Sequence, residues 1–300
     1  MRVCLMVEGQ EGVTWDEWVA LAHAVEDAGL EGLFRSDHYS AIVRSVAGSL
    51  DAWTTLAGLA AVTRRIRLGT LVSPATFRHP SVLARMAVTV DHISGGRVEV
   101  GMGAGWFDRD HSENGFPFLD AKARFDLFAE QVELVVRSWT EESFDHDGAA
   151  YTLRSQTALP KPVQQPHPPL ILGGTAKPRS AALAARFATE YNTLGAPLDE
   201  LRERGRRLDE ACAVAGRDPE SLVRSLMTTC VTGENRAEVD ERLRRDGESS
   251  DERMVGTLDE VAEHLAKLES IGITRVFLRQ SDPGDLGEIA LLGTLATASG

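Results

Sequence analysis

Arg2-Val3-Cys4-Leu5-Met6-Val7-Glu8-Gly9-Gln10-Glu11-Gly12 opens the chain with an apolar run and a glycine-bearing turn. The run has the aliphatic content of a buried strand. The turn after it separates two parallel-sheet folds. A doubly wound dinucleotide-binding fold sets G-x-G-x-x-G directly after its first strand, so that backbone N–H groups meet a pyrophosphate. Here the glycines stand at 9 and 12 among Glu8, Gln10 and Glu11, a partial and wrongly spaced match. The decision therefore passes to the number of strand–helix units.

Outward from that stretch, short β-like runs alternate with longer helical ones. Strands are expected at 2–8, 32–36, 66–72, 97–103, 170–172, 189–194, 222–231 and 275–279. Helices are expected at 15–28, 51–63, 81–93, 122–139, 178–187, 198–215, 236–245, 258–271 and 286–298. In the first of these, Trp15, Trp18, Val19, Ala22 and Val25 recur at helical spacing and Gly29 supplies the stop. A sustained β-α rhythm implies a parallel sheet, and eight units imply an α/β fold of the (β/α)8 TIM barrel type. Residues 143–169 break the rhythm with Asp145-His146-Asp147-Gly148 at a turn and five prolines from Pro160 to Pro169. They read as a hairpin and connector, an insertion between strands 4 and 5 that covers one end of the barrel. No boundary interrupts the pattern, so residues 1–300 are expected to form one domain.

Composition narrows the function classes. The 300 residues carry 32 Lys plus Arg against 45 Asp plus Glu, a formal charge of −13. That charge opposes phosphate backbones and anionic membranes, so neither nucleic acid nor membrane is an expected partner. Cys4, Cys212 and Cys230 are widely separated, which indicates neither a zinc knuckle nor a disulfide framework. With no apolar segment of signal-peptide length at the start, a cytoplasmic protein is expected.

In such a barrel the chemistry sits where strands end and helices begin. Strand 2 ends in Ser36-Asp37-His38-Tyr39, where the Asp–His pair offers either proton transfer or ordinary capping. Strand 3 ends in Thr70-Leu71-Val72-Ser73-Pro74, which brings backbone close to a flat ring or simply turns. Strand 4 ends in Gly101-Met102-Gly103-Ala104-Gly105-Trp106, where glycines admit a ligand and Trp106 walls a pocket or packs. The run Asp108-Arg109-Asp110-His111-Ser112-Glu113-Asn114 has metal-ligand residue types but reads as a solvated loop, so no metal is expected. Strand 5 ends in Gly173-Gly174-Thr175-Ala176-Lys177-Pro178-Arg179, a glycine turn into a helix with two cations, suited to phosphate.

Together these segments resemble the luciferase-like monooxygenase superfamily, barrels that bind FMN or the deazaflavin coenzyme F420. The resemblance runs in order through 32–38, 67–73, 77–80, 91–97, 101–106, 115–118, 168–174 and 275–279. It is nearest to the F420-dependent branch, by the Ser-Asp-His end and the chain length. It implies Asp37 and His38 beside the reactive ring, His38 moving a proton. It implies a non-proline cis peptide in the bend 71–73, pressed on one ring face with Thr70. Gly103, Ala104, Gly105 and Trp106 would border the cofactor, and Gly173, Gly174, Thr175, Ala176 and Arg179 would hold its phosphate. The insertion would help close the site. Sugar-phosphate dehydrogenases of that branch carry an acid where this chain has Trp106, which argues for a different, more apolar substrate. The implied activity is F420-dependent hydride transfer with a small organic molecule. The alternatives are an FMN-dependent monooxygenase using O2 and a separate flavin reductase, and a flavin-binding barrel without turnover. Members of the family are often homodimers.

Overall fold

The computed structural model describes residues 1–43, 48–246, 253–280 and 282–297. Its strands are β1 (Arg2–Val7), β2 (Gly32–Arg35), β3 (Arg67–Thr70), β4 (Ser73–Pro74), β5 (Val98–Gly103), β6 (Phe144–Asp147), β7 (Thr152–Gln156), β8 (Leu170–Gly173), β9 (Glu190–Leu194), β10 (Val223–Gly233), β11 (Met254–Thr257) and β12 (Arg275–Arg279). Its helices are α1 (Trp15–Asp27), α2 (Ala52–Val62), α3 (Pro80–Ser94), α4 (Asp108–Asn114), α5 (Ala121–Thr140), α6 (Pro178–Phe187), α7 (Leu198–Val214), α8 (Arg236–Asp246), α9 (Leu258–Glu269) and α10 (Leu286–Thr297). Ala298, expected in the last helix, lies outside the described residues.

Eight strands close a ring in the order β1-β2-β3-β5-β8-β9-β10-β12, all parallel, and β12 returns to β1 with Arg2 opposite Arg275. This is the expected (β/α)8 barrel. Two short strands extend it: β4 pairs with β5, and β11 with β10. The strand expected at 66–72 stops at Thr70, and the chain resumes pairing at Ser73 beyond a cis peptide between Leu71 and Val72. The expected loop at 108–114 is instead helix α4, ended by Gly115 at φ 72°.

Local signals set the helix ends. Thr14 and Glu17 form a capping box on α1, with Thr14 N–H donating to Glu17 Oε2 at 2.7 Å. Asp51 caps α2 through Thr54 N–H at 2.8 Å. The hairpin β6–β7 packs on the outer side of α5, where His146 Nε2 meets Glu130 at 2.9 Å and Gln131 Nε2 donates to Tyr151 OH at 2.6 Å. No residue of 143–169 lines the cavity at the C-terminal ends of the barrel strands, contrary to the expectation that they close the site; the connector instead covers the opposite end, where Gln164 donates to the Val98 carbonyl at 2.7 Å and accepts from Arg67 at 3.0 Å.

Two apolar layers form. The large one lies between strands and helices, with Trp18, Trp53 and Trp139 wholly buried. The small one fills the barrel interior with Cys4, Met6, Phe34, Leu71, Ile171 and Phe277. Beneath it, at the N-terminal end of the strands, the Arg275 guanidinium reaches Glu99 and Glu190 at 2.7 and 2.9 Å and Glu31 at 2.7 Å. Arg67 also pairs with Glu99. Burial and the neighbouring Glu99 push the Glu190 carboxyl up, while Arg275 opposes them.

Removing one partner of a buried ion cluster leaves a charge uncompensated. Arg275→Met is expected to cost ~3–5 kcal/mol in urea unfolding, partly recovered on adding Glu190→Gln. An unchanged midpoint for the single variant would contradict this role for the barrel floor.

Candidate active site

A cavity of about 320 Å³ opens at the C-terminal ends of the barrel strands. Its wall takes Glu8 from the end of β1, Ser36 and His38 from the end of β2, and Leu71, Val72 and Pro74 from the bend after β3. Gly105 and Trp106 follow β5, Gly173 and Gly174 end β8, and Asn192, Leu194 and Met227 come from β9 and β10. Ile42, Trp106 and Leu194 are 39%, 63% and 54% exposed, so the mouth is rimmed by apolar side chains.

His38 is the residue whose surroundings are most specific. Its Nδ1 lies 2.5 Å from Oδ2 of Asp110, which is wholly buried on α4. Oδ1 of the same carboxylate accepts the Tyr39 and Ser40 N–H groups at 3.0 and 2.7 Å. Burial raises the Asp110 pKa, but hydrogen bonds from His38, Ser40 and Tyr39 outweigh it and hold the group below its ordinary value. An ionised carboxylate only accepts, so Nδ1 carries a proton, and Nε2 is the nitrogen left to exchange one with a ligand. Trp106 and Phe107 stand edge-on to the imidazole, with centroids at 5.9 and 5.8 Å.

Asp37, expected beside the ring, is not on the wall. It is 1% exposed and accepts Ser73 Oγ at 2.6 Å and both Arg78 terminal nitrogens at 2.6 and 3.1 Å. Arg78 also donates to Asp51 Oδ2 at 2.7 Å, and Trp53 Nε1 donates to Ser73 Oγ at 3.0 Å. Burial opposes the Arg78 charge, but Asp37, Tyr39 and Asp51 more than restore it, and its pKa is raised. Burial pushes Tyr39 up to about 12. This cluster ties β2, the bend 71–78 and the start of α2 together.

The strand-end glycines have a steric cause. A Cβ on Gly101 would lie 2.1 Å from the Thr70 carbonyl, and one on Gly103 would lie 2.6 Å from Val72 Cγ2. These glycines make room for the bend, so Gly103 borders Val72 and not the cavity. Thr70 is buried with its hydroxyl on the Gly101 carbonyl at 3.0 Å, and Ala104 packs against the outer core.

The phosphate-type turn is present in part. Gly174 has φ 146°, a conformation suited to glycine, and Gly174 and Thr175 are exposed. Helix α6 begins at Pro178 with no side-chain cap. Ala176 N–H is taken by Tyr191 OH at 2.8 Å. Arg179 is paired with Asp126 on α5 and stacks over Phe125 at 4.3 Å. Among the described residues no three His, Cys, Asp or Glu side chains converge on a metal-sized point, the run 108–114 included.

Of the residues expected at the site, His38, Leu71, Val72, Gly105, Trp106, Gly173 and Gly174 share one cavity. Asp37, Thr70, Ser73, Gly103, Ala104, Thr175, Ala176 and Arg179 surround it without lining it. Sequence reading quoted Ser36 and Pro74 at strand ends without assigning them to the site, and it missed Glu8, Ile42, Asn192, Leu194 and Met227 on the wall and Asp110 behind it. Glu8 follows the same strand-end rule that found His38.

Comparison with known proteins agrees with the geometry. The family model described as luciferase-like monooxygenase matches residues 3–248. An uncharacterised protein of Mycobacterium tuberculosis is 35% identical over 170 residues, 57% of this chain and 58% of its own length. The chain thus spans about 58% of the curated relatives it first matches. The FMNH2-dependent dimethylsulfone monooxygenase of Pseudomonas putida is 23% identical over 253 residues, 72% of this chain and 69% of that one. Among solved structures, an F420-dependent secondary alcohol dehydrogenase superposes with a TM-score of 0.87 at 18% identity, covering 99% and 98% of the two chains. A monooxygenase from Streptomyces bottropensis gives 0.82 at 25% identity, covering 98% and 97%. Among the described residues no helix is long and apolar enough to cross a membrane.

Asp110→Asn should leave acceptors for Tyr39 and Ser40 but release the His38 tautomer. Imidazole ¹⁵N shifts are expected to move from an Nδ1–H pattern to a mixture. A wild-type ring already in the Nε2–H form would contradict the assignment. Because the folded Asp110 pKa lies below its ordinary 3.8, its stabilising contribution is full above that value. It fades as pH falls through the folded pKa, so the acid limb of a stability profile should flatten in Asp110→Asn.

Proposed function

The chain belongs to the luciferase-like monooxygenase family, and on that premise we propose that it is an F420-dependent oxidoreductase acting on a small organic substrate. The observation that carries this reading is the single cavity in which His38, held from behind by Asp110, faces the Leu71–Val72 bend and opens toward the Gly173–Gly174 turn. A flat ring fits such a slot, and an uncapped helix start beside exposed Gly174 and Thr175 fits a phosphate. When bound, the deazaflavin supplies hydride transfer, the step that side chains cannot perform.

The protein's own part is binding, orientation and proton handling. Leu71, Val72 and Pro74 press on one face of the ring. Gly173, Gly174 and Thr175 receive the phosphate at the start of α6, with Lys177 adding positive charge. Arg179 would reach it only by leaving Asp126. Ile42, Trp106 and Leu194 rim the mouth with apolar surface against which a substrate would pack. His38 Nε2 takes the substrate proton, or returns it in the reverse direction, and Asp110 stabilises the imidazolium so formed. Asp37 acts through Ser73 and Arg78 as a positioning residue for the bend.

An FMN-dependent monooxygenase is the second reading, favoured by the match to the dimethylsulfone monooxygenase along most of the chain. It would need a separate flavin reductase and O2. The two part in a side-by-side titration with F420 and FMN followed by Trp fluorescence. F420 is expected to bind at least about tenfold more tightly, a preference of about 1.4 kcal/mol. Binding of FMN alone, with O2 consumed on supplying reduced FMN, would overturn the first reading. With F420 bound, His38→Ala should lower kcat by ~10²–10⁴ while the F420 dissociation constant stays within about threefold. Gly174→Leu should instead weaken F420 binding with little change in the far-ultraviolet circular dichroism.

A further inference from the structure

We propose that Asp126 on α5 sets the affinity for the cofactor phosphate. Its carboxylate occupies the Arg179 guanidinium in the free protein and gives it up when the phosphate binds. This rests on the reading of Gly173–Thr175 as the phosphate turn.

The turn by itself is short of donors. The Gly174 N–H goes to the Asn192 carbonyl at 3.0 Å, and the Ala176 N–H to Tyr191 OH at 2.8 Å. Tyr191 donates in turn to Ser180 Oγ at 3.1 Å, and Ser180 to the Lys177 carbonyl at 3.0 Å. That chain of hydroxyls therefore closes on the protein itself. Pro178, at the first helical position, has no N–H to offer. A phosphate placed here depends on side-chain cations. Lys177 is exposed and brings a point charge. Arg179, in the first turn of α6, brings a planar fork that matches a phosphate bidentately.

That fork is held by another anion. Arg179 Nη2 pairs with Asp126 Oδ1, and the guanidinium lies 4.3 Å from the centre of the Phe125 ring. Lys122 Nζ holds the other Asp126 oxygen at 3.0 Å. Lys122 and Arg179 together keep the Asp126 carboxyl below its ordinary range, so it is charged at neutral pH. The pair stands beside the cavity, because Arg124, two residues before Asp126, sends its Nε to the Gly105 carbonyl at 3.0 Å. The Arg179 and Asp126 side chains are 51% and 46% exposed. An ion pair so exposed is weak, and a phosphate competes for the same fork. After the exchange Lys122 still balances Asp126, so no charge is stranded. Asp126 thus opposes the phosphate by about the strength of one surface ion pair, and it acts through Arg179 alone.

The test compares ligands with and without the phosphate. F420 is titrated against its phosphate-free deazaflavin core, and FMN against riboflavin, a pair that differs by the phosphate alone. Titrations run at neutral pH and low salt, where surface charge is least screened, and are followed by Trp fluorescence. Within each pair the ratio of dissociation constants, phosphate-free over phosphorylated, measures what the phosphate adds, and ring contacts cancel. Asp126→Asn is expected to raise that ratio by about two- to fivefold, the range of one exposed ion pair. Arg179→Gln should lower it by about tenfold or more. Asp126→Asn added to Arg179→Gln should leave the ratio within about twofold of Arg179→Gln alone. An unchanged or lower ratio in Asp126→Asn would overturn the proposal. So would a full rise in the absence of Arg179, which marks plain repulsion between Asp126 and the phosphate. Both side chains are exposed, and circular dichroism checks that each variant is folded. Wild-type ratios near one, unmoved by Gly174→Leu, would refute the phosphate turn and this proposal with it. Ratios that fall in Gly174→Leu but ignore Asp126→Asn would refute the role of Asp126 and leave the turn standing.

Discussion

The space inside a closed eight-stranded barrel is the constraint on which this structure turns. At the floor that space is filled by charge, with Arg275 between Glu99 and Glu190. Above it, Phe34 and Phe277 pack edge to face at 4.8 Å, and Arg275 lies under both rings at 5.1 and 4.8 Å. At the top the side chains run out: a Cβ on Gly173 would meet nothing nearer than the Asn192 carbonyl at 3.5 Å. A Cβ on Gly69 would strike Phe34 at 2.5 Å, so the glycines below that level are demanded by packing. Gly101 and Gly103 admit the Leu71–Val72 bend, and the bend narrows what is left into a slot.

Two polar clusters hold the slot's walls. Asp37 and Arg78 lock the bend to β2 and α2 from below. Asp110 holds the start of the loop after β2, and with it His38, from behind. Neither carboxylate touches the cavity, yet each fixes a residue that does. On the proposed reading an acidic chain would meet an anionic cofactor by placement of charge, at the helix start Gly174–Pro178, where the dipole is favourable and Lys177 stands alongside.

The barrel was legible in the sequence because each unit announces itself locally. Gly95 at φ 66° stops α3, Pro80 starts it, and Pro178 starts α6 where expected. The strand ends were legible for the same reason, and seven of the fifteen site residues chosen there line the cavity. What escaped is set by contacts between distant parts. Asp110 sits in a polar run that looks solvated until α4 folds it against His38, 72 residues earlier. Asp37 beside His38 looks catalytic until Arg78 claims it from 41 residues away. Strand β11 has four residues at the sheet edge and too little pattern to be seen. Arg179 was chosen for its charge, and only the fold places Asp126 within its reach.

The central claim is that this slot is the ring site of a deazaflavin. A crystal structure of the protein soaked with F420 tests it directly. The ring is expected between the Leu71–Val72 bend and His38, with Nε2 toward the substrate side and the phosphate at Gly174–Thr175. A ring bound elsewhere, such as the crevice of about 360 Å³ between α7 and α9 lined by Leu201, Leu226 and His264, would contradict it.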